Sequence, residues 1–140
     1  MSCFKVYKSL TEEAAYIRTT VFVREQGFAN EFDDTDKAAE HIVMYVDGDV
    51  PAATCRYYWN EAYNAYSIGR IAVLKQFRGR HFGAALLREA EERIRGAGGG
   101  KVVLAAQRQA QKFYEKQGYA AFGDVFLEEH CAHIMMCKLL

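Results

Sequence analysis

Ile71-Ala72-Val73-Leu74-Lys75-Gln76-Phe77-Arg78-Gly79-Arg80-His81-Phe82-Gly83-Ala84-Ala85-Leu86-Leu87 joins an apolar strand, a short basic turn with two glycines, and the opening of a helix. The helix is read from Phe82, Leu86, Ala90 and Ile94, which repeat every four residues and line one face for a core. At the start of a helix several N–H groups lack an intrahelical partner, and the aligned peptide dipoles add partial positive charge. With Arg78 and Arg80 alongside, these groups make a compact phosphate cradle that Gly79 and Gly83 leave open to a ligand. An ordinary tight turn with solvated arginines is the competing reading. The glycine spacing does not suit a nucleotide P-loop, which ends in Gly-Lys-Ser/Thr, and no acidic residue closes a following strand as a dinucleotide fingerprint requires.

Upstream, Phe4 to Tyr7 alternates like a short strand, and Ser9-Leu10-Thr11-Glu12 reads as a capping box opening a helix that runs to Glu25. Ala14, Ile17 and Val21 form its buried stripe, with Arg18 and Arg24 expected toward the edges. An acidic loop, Gln26 to Lys37, follows. Strands are expected over His41 to Val46 and Ala52 to Trp59, joined by a tight turn at Asp47-Gly48-Asp49, and then over Tyr66 to Leu74 after a turn at Asn60 to Asn64. Downstream the pattern alternates: a helix from Arg80 to Arg95, a stop at Gly96 to Gly100, an apolar strand from Lys101 to Ala106, and a short helix from Arg108 to Lys116 ended by Gly118. Strands over Tyr119 to Phe122 and Ala132 to Leu139 complete a mixed α/β sheet in one domain spanning residues 1–140.

Eighteen basic residues balance eighteen acidic ones, so no global field draws the chain to nucleic acid or to an anionic membrane, and any anion site must be local. No signal segment or membrane-length apolar run is read, and a cytoplasmic protein is expected. Cys3, Cys55, Cys131 and Cys137 form no C-x-x-C pair, which argues against zinc and thioredoxin-like chemistry. They read as reduced and mostly buried; a catalytic Cys131 beside His130 and His133 is the sharper alternative. Asp33, Asp34 and Asp36 lack the glycine and terminal glutamate of a calcium loop and read as turn residues, so no metal is expected. Tyr57, Tyr58, Trp59, Tyr63 and Tyr66 read first as cross-strand packing and second as an acceptor pocket.

At Arg78, His81 and Gly83 the chain resembles the GCN5-related N-acetyltransferase (GNAT) superfamily, whose cofactor signature is Arg/Gln-x-x-Gly-x-Gly/Ala after an apolar strand; His81 stands where glycine is usual. A second stretch, Gln107-Arg108-Gln109-Ala110-Gln111-Lys112-Phe113-Tyr114-Glu115-Lys116-Gln117-Gly118-Tyr119, is similar to the family's Asn-x-x-Ala-x-x-Phe-Tyr-Glu-Lys-x-Gly-Phe, with Gln107 in place of asparagine. Val21 to Gly27, Glu31-Phe32-Asp33-Asp34 and His41 extend the likeness toward an ElaA/YjcF-like bacterial subgroup.

The resemblance implies a mostly antiparallel, splayed central sheet flanked by helices, acetyl-CoA (CoA) as cosubstrate, and transfer of an acetyl group to a primary amine of a small molecule or peptide. It implies cofactor binding by Ile71, Ala72, Val73, Arg78, Gly79, Arg80, His81, Phe82, Gly83 and Ala84, with Gln107 and Phe113 from the second stretch. A backbone N–H near Val73 would polarise the acetyl carbonyl. Tyr114 is the expected general acid and Glu25 the candidate general base, while His41 and His133 read first as structural. A non-catalytic acyl-CoA sensor and an acyl-homoserine-lactone synthase are the alternatives. An exposed strand edge would permit a homodimer.

Overall fold

A computed structural model describes residues 2–140. Seven strands form one sheet in the order β1-β2-β3-β4-β5-β7-β6: β1 (Ser2–Tyr7), β2 (Glu40–Val46), β3 (Val50–Asn60), β4 (Ala65–Val73), β5 (Lys101–Gln107), β6 (Ala120–Glu128) and β7 (Cys131–Leu139). Neighbours run antiparallel except β4 and β5, which are parallel because a helix, α3 (Phe82–Gly96), carries the chain between them. The mixed, mostly antiparallel sheet expected from the sequence is therefore present. The β2–β3 turn uses Asp47 (φ 50°) and Gly48 (φ 91°), the pair of left-handed residues that a tight hairpin of this twist requires.

Side-chain alternation along β2 divides the molecule into layers. Ile42 and Met44 join Leu86, Leu87, Ala90 and Ile94 of α3 in one core. Val43 and Tyr45 face the opposite core, with Ala14, Ile17, Val21 and Phe22. Burial of β2 on both faces follows. Beyond α3, Gly99 tucks under the helix end: a Cβ built there would lie 2.4 Å from Ile94 Cγ2 and 2.8 Å from Tyr66 Cδ2. Gly99→Ala is expected to lower stability by about 1–3 kcal/mol through overpacking, read as a shifted urea midpoint.

Several expectations need correction. The first helix is capped by Thr11, whose hydroxyl accepts the Ala14 N–H at 3.2 Å, and Ser9 lies outside it. Only α1 (Glu12–Arg18) is α-helical; Thr19–Glu25 continues as a π-helix, with Gln26 N–H bonded back to Val21 O. Such widened turns recur at functional sites. The acidic loop contains a short helix, α2 (Thr35–Ala38). Arg80 and His81 precede α3, and Arg108–Ala110 is a 3₁₀ turn before α4 (Gln111–Lys116). Of the cysteines only Cys55 is buried, and burial pushes its thiol upward; Cys3 is exposed.

Candidate active site

Strands β4 and β5 touch at Tyr66↔Val102 and Ser67↔Val103 and then diverge. The divergence coincides with a bulge: Arg70 and Ile71 stand opposite Cys55 alone, and Arg70 takes φ 53°. Past the bulge, the Leu74 N–H bonds to Ala52 O of β3 at 2.9 Å. Strand groups alternate in direction, so the Val73 N–H points the other way, into the gap. The resulting cleft has a volume of about 820 Å³ and is walled by β4, β5, the hairpin of β6 and β7, and the loop following the π-helix.

The cradle lies at the C-terminal end of β4. Gly79 adopts φ 83°, a conformation that L side chains rarely take, with open space where a Cβ would project. His81 adopts φ 61° at the N-cap of α3 and makes no side-chain capping bond, so the first helical N–H groups of Phe82, Gly83 and Ala84 keep no cap from it. This explains why glycine is usual at position 81: the turn demands the left-handed region. Relieving it by His81→Gly should raise stability by roughly 0.5–1 kcal/mol, checked as a higher thermal midpoint. A Cβ at Gly83 would lie 3.4 Å from Phe113 of α4, an ordinary contact distance, so Phe113 backs this end of the cradle.

Arg78 and Glu25, read separately as cradle and base, are bonded to each other. The Arg78 terminal nitrogens sit 3.0 Å from both Glu25 carboxylate oxygens, and its Nε donates to Val73 O at 2.9 Å. The clasp ties the end of the π-helix to the cradle turn and occupies the Val73 carbonyl, leaving the Val73 N–H. Arg80 remains exposed, stacked 5.9 Å from the Phe77 ring centroid.

Tyr114 reaches the cleft from α4, packed edge-on against Phe113 and Tyr119. Its hydroxyl has no hydrogen-bond partner among the described residues, and burial raises the phenol well above its ordinary value, so it is a held proton. Gln107 also lines the cleft and donates to Gln26 Oε1 at 2.8 Å, joining the end of β5 to the loop. Of the strand aromatics, Tyr58 and Tyr63 line the cleft, whereas Trp59 and Tyr66 pack edge-on at 5.3 Å.

Sequence reading missed an ion network beneath this wall. Arg18, expected at a helix edge, is 1% exposed. It donates from Nε to Glu31 at 2.9 Å and from Nη1 to Asp36 at 2.7 Å. Arg56 Nη1 donates to Asp33 at 2.6 Å and Asp36 at 2.8 Å, and Arg70 meets Glu31 and Asp33 at 3.0 and 3.3 Å. Asp33 and Asp36 thus receive arginines and are not mere turn residues. Burial alone would raise Asp36, but the bonds from Arg18 and Arg56 outweigh it and hold the carboxyl at about 2. At Glu31 burial prevails over Arg70 and Arg18, and its carboxyl is raised. His41 Nε2 donates to Asp36 O at 2.9 Å, a structural role. His133 lines the cleft, its Nδ1 3.0 Å from Cys131 O and its Nε2 3.8 Å from Glu128. The signal available in advance was an arginine inside an otherwise apolar helical stripe.

The Acetyltransferase (GNAT) domain family matches residues 6–140. The chain is 34% identical over 130 residues to the uncharacterized N-acetyltransferase YjcF of Bacillus subtilis (strain 168), with 91% of each chain covered. Escherichia coli ElaA superposes with a TM-score of 0.86 at 25% identity over 99% of both chains. An acyl-CoA N-acyltransferase from Pseudomonas aeruginosa, at 24% identity and a TM-score of 0.84 over 99% of both chains, shares the fold. By family match, identity and sheet geometry alike, the chain belongs to the GNAT acetyltransferases.

Proposed function

We propose that this protein transfers the acetyl group of acetyl-CoA to a primary amine by direct attack of the amine nitrogen on the thioester carbon. The observation that carries the reading is the divergence of β4 from β5, which turns the Val73 N–H away from β3 toward the gap and opens a cleft lined by Tyr114. The uncapped start of α3, the open Gly79 and the exposed Arg80 and His81 fit a pyrophosphate. Ile71, Ala72 and Val73 present strand backbone to a pantetheine arm, and Phe113 backs Gly83.

In this reading the Val73 N–H stabilises negative charge on the acetyl oxygen as the C–N bond forms. Tyr114 gives its proton to sulfur as the C–S bond breaks and regains one from solvent. His133 accepts the proton from the acceptor nitrogen: the bond from Nδ1 to Cys131 O leaves the Nε2 lone pair toward the cleft. Glu25, already bonded to both Arg78 terminal nitrogens, braces the cradle turn, as does Arg78 itself.

Calorimetry with acetyl-CoA and CoA tests the first half, with saturable binding by both expected. Thiol release across a panel of amines tests the second. Absence of saturable binding by either nucleotide would overturn the reading.

A further inference from the structure

We propose that the acceptor is an organic cation that retains a second positive charge beyond the amine being acetylated, carries no anionic group, and places that second charge at Glu128. The inference rests on the acetyltransferase reading and specifies its second substrate.

The charge of the cleft wall carries it first. Among its lining residues are the carboxylates of Glu31, Asp33, Glu128 and Glu129 against the guanidiniums of Arg56 and Arg70, four against two, a net of two negative charges in a chain that is neutral overall. Arg18 and Asp36, bonded to each other behind this wall, cancel. A cleft walled by one sign of charge concentrates ligands of the other.

The commitments of the individual groups sharpen this. Arg70 already holds Glu31 and Asp33, and both Arg56 terminal nitrogens hold Asp33. An acceptor carboxylate or phosphate would compete with the buried Glu31 and the exposed Asp33 for these guanidiniums and would meet the net negative charge of the wall. The carboxylates are not equally committed. Glu129 accepts the N–H groups of Ala29 and Asn30 at 2.7 and 2.9 Å. Glu128, with a side chain 47% exposed, lies 3.8 Å from the His133 Nε2 and has no lysine or arginine partner among the described residues.

His133 provides the second, independent observation. It is 5% exposed and lines the cleft, and with Nδ1 donating to Cys131 O its Nε2 is a lone pair with no hydrogen-bond partner. It accepts an ammonium N–H and repels a carboxylate. The rings of Phe28, Tyr58, Tyr63 and Phe126 supply the remaining wall, suited to methylene chains and to cations over aromatic faces. A flexible alkyl diamine or triamine matches this combination.

The test uses the full chain, first titrated with CoA, then titrated calorimetrically with and without saturating CoA by three probes of one length: 1,4-diaminobutane, butylamine and 4-aminobutanoate. The diamine should bind tightest, 4-aminobutanoate weakest, and the diamine's advantage should shrink as salt rises. Glu128→Gln, at an exposed position, should weaken the diamine about fivefold toward butylamine while leaving CoA affinity unchanged. Equal or tighter binding of 4-aminobutanoate, no ranking among the three, no binding by any, or an unaltered diamine affinity in Glu128→Gln would each overturn the proposal. Failure of the CoA titration would strike the acetyltransferase reading and with it the acceptor role, whereas the amine ranking, also measured without CoA, tests the cation site by itself.

Discussion

Tyr114→Phe is expected to lower kcat by about 10²–10⁴-fold while CoA affinity stays within a factor of two or so, since the change removes one oxygen from a ring whose packing is otherwise kept. The hydroxyl makes no bond within the described residues, so its loss orphans nothing, and Phe113 and Tyr119 still pack against the ring. Stability should therefore be unchanged or slightly raised, and a thermal melt separates this outcome from general damage. The decisive measurement is kcat against pH. A phenol raised by burial stays protonated through the neutral range, so the wild type should show no alkaline loss from Tyr114 there. A variant that turned over at the wild-type rate at every pH would remove Tyr114 from the chemistry.

Asp36→Asn is expected to cost about 3–5 kcal/mol, because it leaves two buried guanidiniums short of a countercharge. Asp36 receives Arg18 Nη1 at 2.7 Å, Arg18 Nη2 at 3.1 Å and Arg56 Nη1 at 2.8 Å. Arg56 Nε is already buried without a hydrogen-bond partner, so that guanidinium has little reserve. Urea denaturation reads the loss. Its pH dependence supplies a signature. With the Asp36 carboxyl held at about 2 against an ordinary 3.8, its contribution is complete above about 3.8 and disappears as pH falls toward 2. Glu31 acts in the opposite sense: its raised carboxyl takes up a proton earlier in the folded state, which favours folding as pH falls. The asparagine variant should lack the acid-limb loss due to Asp36 and keep the Glu31 effect.

What could be read from sequence follows from the range of the contacts involved. The α3 helix and its preceding turn are written locally: Phe82, Leu86, Ala90 and Ile94 set the face, and Gly79 meets the one backbone conformation that strictly suits it. The Asp47-Gly48 turn is local in the same way. The partners of Arg18, Glu31 and Asp36, lie 13 and 18 positions downstream, beyond the reach of the first helix's periodicity. The Arg78–Glu25 pair spans 53 positions, so neither residue hinted at the other. The sequence pattern places the end of strand β6 at Phe122. In the sheet a register shift lies between Phe122 and Phe126, with Gly123 at φ 75°, and the strand continues to Glu128. That continuation brings Glu128 to the cleft, and so this part of the candidate acceptor site was not legible.

The narrow seam between β4 and β5 also bears on how the molecule assembles. Strands β1 to β4 pair in chain order, each with the next, apart from the helical insertions, so much of that half closes over short loops. Within the sheet, strand β5 is joined to it at Tyr66↔Val102 and Ser67↔Val103, supplemented by the shared core and by side-chain bonds such as Gln107 to Gln26. Separating the C-terminal strands from the others therefore breaks few backbone bonds of the sheet. Cooperative units divided this way open below the free energy of global unfolding. The candidate substrate groove thus coincides with the line along which the sheet is held by the fewest backbone pairs.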